Sequence, residues 1–142
     1  MSKILFTTLI AFFVWFNSYA VDYTAVDKID ISEVLIEKNT TADNAVLYMN
    51  VKNNNEEDIF ILGASSPNAA NIVEIHNYVE DVITQTRKLD EVLLPQNSLV
   101  QFKPGKIHIM LIDLKHELKS GDIIKVTLLT DVGTKVIEAL VR

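Results

Sequence analysis

The sequence predicts an all-β fold, a Greek-key sandwich, on three observations. From Lys28 onward the chain is a succession of short runs that are either continuously apolar or apolar at every second position. Turn chemistry rich in Asn, Asp, Pro, Gly and Ser separates these runs at near-regular spacing. Nowhere does an apolar period of 3.6 persist long enough to specify a helix, so eight or nine strands closing on one core is the expected architecture.

Each element follows from its own pattern. Lys28–Lys38 places Ile29 and Ile31 in one phase and Val34 and Ile36 in the other, a slip that predicts a bulge or a strand changing sheets. Ala45–Asn53 alternates Ala45, Leu47, Met49 and Val51 against Val46, Tyr48, Asn50 and Lys52, so Met49 falls on the core phase. The polar turn Asn53–Asp58 leads to a buried run, Ile59–Ser66. Asn71–Val79 follows, with Val73, Ile75, Asn77 and Val79 opposed to Ile72, Glu74, His76 and Tyr78. A weaker strand is expected over Val82–Leu89, then the runs EVLLP and SLVQF. Pro104-Gly105 suits the centre of a type II turn, proline setting φ and glycine supplying a positive one. KIHIMLIDL, the turn LKSGD, IIKVTLLT and TKVIEALV complete the chain.

Residues 1–20, MSKILFTTLIAFFVWFNSYA, stand apart from this pattern. One Lys, an apolar run from Ile4 to Phe16 and a small-x-small ending at Ala20 read as a secretory signal peptide. The apolar run is shorter than the roughly 20 residues that cross a bilayer. Residues 21–142 are then the exported domain, expected in the periplasm. The full chain carries a net charge of −6, and loss of Lys3 with the leader makes the domain more acidic still. Such a surface argues against nucleic acid as a partner, since phosphate binding needs clustered Lys and Arg. There is no cysteine. Disulfides, thiol catalysis and a lipid-modified cysteine are thereby excluded, and a soluble domain without a membrane anchor is expected.

Alternation puts Ile107, Ile109 and Leu111 on one face of a strand and Lys106, His108 and Met110 on the other. His108 and Met110 are forced to the same side, with Cα atoms roughly 6.5 to 7 Å apart, a spacing from which two ligands can converge on one ion. An imidazole with a thioether and no thiolate or carboxylate beside them favours Cu(I) over Zn²⁺, Mg²⁺ or Ca²⁺. Methionine also escapes the disulfide chemistry open to cysteine outside the cell. The pair alone is also compatible with ordinary packing. His76, on the face opposite the apolar phase of its own strand, can supply a third ligand, or it is simply a surface histidine. His116 sits where strand gives way to turn and reads as a surface residue. No catalytic pattern competes: the serines lack G-x-S-x-G, and Glu56–Asp58 lacks the spacing of a calcium loop, so an enzyme is not expected. The match Asn39-Thr40-Thr41 to a glycosylation sequon carries little weight in a domain of bacterial appearance.

LGASSPNAANIVEIH (62–76) and FKPGKIHIMLIDLKHELKSGDIIKVTLL (102–129), with AVLYMNVKN as weaker support, resemble the PCuAC family of periplasmic Cu(I) chaperones, cupredoxin-like β-sandwiches. The order G-A-S-S-P, E-x-H, K-P-G-x-x-H-x-M-L and L-K-x-G-D spans essentially the whole exported chain. The resemblance implies a surface site of two histidines and two methionines that holds Cu(I) for delivery towards cytochrome c oxidase. It carries one histidine to His76 and the H-x-M pair to His108 and Met110. The second methionine is missing: Thr86 stands near its place, and Tyr78 stands where a methionine often follows the first histidine. A three-ligand, exposed His/Met site for copper(I) follows, weaker than the family norm and sensitive to acid because protonation removes an imidazole ligand. Its expected partner is a copper-accepting respiratory oxidase subunit or another copper chaperone. The alternative is a copper-independent interaction or assembly module that has lost part of the site.

Overall fold

The computed structural model describes residues 26–79 and 85–142. The leader expected over residues 1–20 lies outside them, as does the start of the strand expected from Val82. Ten strands are present among the described residues: β1 (Ile29–Lys38), β2 (Asn44–Asn53), β3 (Ile59–Ser65), β4 (Ala70–Val79), β5 (Gln85–Leu89), β6 (Val92–Leu94), β7 (Leu99–Phe102), β8 (His108–Leu114), β9 (Ile123–Thr130) and β10 (Gly133–Val141). The count exceeds eight or nine because the short runs β6 and β7 find separate partners, β3 and β2.

The strands follow one hydrogen-bonded path, β5-β4-β8-β2-β1-β10-β9-β3-β6, with β7 also on β2. Two long strands turn this path into a sandwich. Asn44–Leu47 of β2 pairs with β8, and Met49–Lys52 pairs with β7. Strand β1 pairs with β2 along its length, but its register shifts between Ser32 and Leu35, where Glu33 adopts φ 53°. Beyond that bulge β1 also pairs in parallel with β10, through Leu35 and Leu140 and through Ile36 and Val141. The phase slip in the sequence is thus the point at which β1 joins the two halves.

One apolar cluster fills the interior, with Leu47, Ile61, Leu94, Ile109, Leu111, Val126 and Ala139 all essentially inaccessible. Met49 is 1% exposed and belongs to this core. The buried Asn53 anchors the following polar turn: its Nδ2 donates to the carbonyls of Glu57 and Leu94, each at 2.9 Å, and its Oδ1 accepts from the Asn55 amide at 2.9 Å. Every polar atom of this buried amide group therefore has a partner, which a core position demands.

The β7–β8 connection sets the start of β8. Lys106 N donates to Lys103 O at 3.0 Å across Pro104-Gly105, and Gly105 has φ 75°, the geometry expected of a type II turn. A side chain at Gly105 would be strained by that φ even though open space surrounds it. Three residues after Gly105, His108 opens β8.

Candidate metal centre

Antiparallel pairing of β4 and β8 places His76 directly opposite His108, Ile75 opposite Ile109, and Glu74 opposite Met110. The two isoleucines point inward and are 2% and 0% exposed. By the alternation of the pleat, His76, His108, Glu74 and Met110 share the other face. Strand β5 continues the row, with Lys88 opposite His76 and Thr86 opposite Tyr78. The imidazole centroids of His76 and His108 are 6.0 Å apart, with planes at 57°. A nitrogen–metal bond of about 2 Å puts an ion about 3 Å from a ring centre, so a separation of this size lets two rings share one ion.

Both rings are oriented by a second partner. His108 Nδ1 lies 2.8 Å from the Lys106 carbonyl, which can only accept, so Nδ1 carries the proton and Nε2 the lone pair. His76 Nε2 lies 2.9 Å from Glu74 Oε2, while Lys88 Nζ lies 3.2 Å from Glu74 Oε1. The hydrogen bond from His76, and then that from Lys88, hold the Glu74 carboxyl below its ordinary value of 4.5. His76 Nδ1 is buried and has no hydrogen-bond partner among the described residues. A ring tethered at one nitrogen, with the other buried and unbonded, has the orientation that a metal-ligating histidine requires. Among the described residues no three His, Asp or Glu side chains converge into a cage. The donors at hand are two imidazoles and, one pleat along from His108, the Met110 thioether. This set suits soft Cu(I); the Glu74 carboxylate on the same face is engaged by His76 and Lys88, and by itself it falls far short of the oxygen shell that Mg²⁺ or Ca²⁺ requires.

The exposure expected of the centre is not observed. His108 is only 3% exposed and the His76 side chain 15%. The face away from the core is itself covered here: the Tyr78 ring lies 5.2 Å from the His108 ring at 40°, centroid to centroid. Tyr48 is half-buried near Tyr78. Burial pushes its phenol up, and Glu37 and Tyr78 add to the effect. The pattern of alternation identifies the face correctly but carries no information about what lies over it. Thr86 is exposed on edge strand β5, on the face of the histidines and diagonal to His76. His116 remains on an exposed loop after β8, and Met49 faces the core, so neither joins the centre. Sequence reasoning missed Glu74 as a partner of His76, although the E-x-H spacing put the two on one face. It had no means of finding Lys88, which arrives only through the β4–β5 register.

Set beside known proteins, the chain has relatives in sequence and in shape. The uncharacterized protein RP573 of Rickettsia prowazekii (strain Madrid E) is 33% identical over 94 residues, covering 65% of this chain and 51% of that protein, so the chain spans about half the length of that relative. The copper-bound PCuAC domain from PmoF2 superposes with a TM-score of 0.70 and 26% identity over 84% of this chain and 96% of its own. The apo form of that domain gives 0.68 and 28% over 83% and 92%. CuI-DR1885 from Deinococcus radiodurans, at 20% identity, shares the fold, with a TM-score of 0.67 over 83% of this chain and 80% of its own. The all-β, cupredoxin-like sandwich is therefore the fold of this protein. Residues 29–141, from the first strand to the last, match the family described as "Putative lipoprotein LpqE-like", and the chain belongs to that family.

Proposed function

We propose that the protein is an exported Cu(I) metallochaperone that holds its cargo through His76, His108 and Met110. The observation that carries this reading is the buried Nδ1 of His76, without a hydrogen-bond partner among the described residues, beside a second imidazole whose proton is committed elsewhere. Likeness to PCuAC domains, one of them copper-bound, supports it. Two imidazoles and a thioether make a three-coordinate soft site, which leaves an approach for an incoming ligand of an acceptor. Copper then passes by ligand exchange, with no bond in the protein made or broken beyond those to the metal. Delivery from the periplasm to a copper-accepting respiratory oxidase subunit is the route we favour.

Thr86 supports a second reading. It occupies the edge position from which a long thioether at this diagonal, ~7–8 Å from His76, would reach the ion. A hydroxyl is a hard donor and substitutes poorly for sulfur; on this reading copper affinity is too low to be useful and the protein serves as a copper-independent assembly factor.

Titration of the protein with Cu(I) against a competing chelator decides between the two. One equivalent bound, and lost in a His108→Ala, Met110→Ala double variant, supports the chaperone. Failure to bind, or binding indifferent to that double substitution, would sink it in favour of the assembly factor.

A further inference from the structure

We propose that Glu74, braced by Lys88, is a positioning residue that selects which nitrogen of His76 faces the metal, so that the centre uses Nδ1 of His76 and Nε2 of His108. The proposal rests on the copper reading of these histidines but names a device that reading does not contain. An ionised carboxylate can only accept, so the 2.9 Å contact between Glu74 Oε2 and His76 Nε2 requires the proton on Nε2. A neutral ring so protonated has its lone pair on Nδ1, the atom left buried without a partner among the described residues. The opposite tautomer would set a lone pair against the carboxylate and strand an N–H in the interior. Both are unfavourable.

Lys88 makes the selection firm. Its ammonium takes Glu74 Oε1 at 3.2 Å, leaving Oε2 to His76. Lys88 is also the cross-strand neighbour of His76 itself, so the pairing of β5 with β4 brings it to the carboxylate. On the other side of the same row His108 is fixed in the opposite sense by a backbone carbonyl, 2.8 Å from its Nδ1. Two histidines facing each other in register thus present different nitrogens, one selected by a side-chain pair and one by the main chain. Only the first can be altered by substitution without moving the backbone.

Long-range ¹H–¹⁵N correlation spectra of the metal-free, ¹⁵N-labelled protein at mildly alkaline pH, where imidazole is neutral, read the tautomers directly. The expected wild-type result is Nε2–H for His76 and Nδ1–H for His108. In Glu74→Ala the His76 signals should shift to a tautomer mixture while those of His108 stay, and Cu(I) affinity should fall about 10–100-fold. Glu74→Gln keeps an acceptor and should recover part of both. Lys88→Ala should give a smaller loss. An Nδ1–H tautomer at His76 in the wild type, or unchanged tautomer and affinity in Glu74→Ala, overturns the positioning role while the copper reading stands. A wild-type protein that binds no Cu(I) overturns both.

Discussion

The two faces of β8 differ in what burial asks of them. Ile109 and His108 are adjacent and almost equally inaccessible, at 0% and 3% exposure. Ile109 faces the common core and needs only close packing. His108 faces the other way, beneath Tyr78, and carries two ring nitrogens that must be accounted for: Nδ1 donates to the Lys106 carbonyl, and Nε2 keeps the lone pair that the proposed copper reading uses. The comparison shows that the histidine-bearing face of this sandwich is not simply a solvated surface. It is a second, shallow polar interior, built on the back of the apolar one.

Breaking the inner face should have the largest effect. Ile109→Ala removes a fully buried side chain and should cost about 2–5 kcal/mol of stability, measured by urea denaturation, with copper binding lost only as the fold is lost. On the outer face, Met110→Leu should leave stability within about 1.5 kcal/mol yet strongly weaken Cu(I) in chelator competition, because shape is kept and sulfur is not. Thr86→Met should move affinity the other way, adding a thioether diagonal to His76; an affinity unchanged by this substitution would show that β5 lies out of reach of the ion. Met49→Leu is the control for sulfur on the wrong face, with no change in Cu(I) affinity and a stability change under about 1.5 kcal/mol.

Acid should separate the faces more subtly. Because Glu74 titrates below 4.5 in the folded protein, its contribution is present above the unfolded value and is lost as pH falls through the lowered one. The stability difference between wild type and Glu74→Gln should therefore be visible near neutrality and vanish in acid below that window. A difference that persisted at low pH would mean that the side chain acts by packing instead.

Much of this was legible in the linear chain because a strand has a period of two. The inward set Ala45, Leu47, Met49 and Val51, the slip between Ile31 and Val34, the Pro104-Gly105 turn and the shared side of His108 and Met110 all follow from local geometry. What lay beyond reach was anything that depends on which strands become neighbours. Register brought His76 opposite His108 and Lys88 to the carboxylate beside His76, and packing laid Tyr78 over the imidazole. Local alternation can say on which side of a strand a residue stands. Pairing between β4, β5 and β8, segments separated by loops of unrelated length, is settled only when the whole core closes, and that closure made two histidines far apart in the chain cross-strand neighbours.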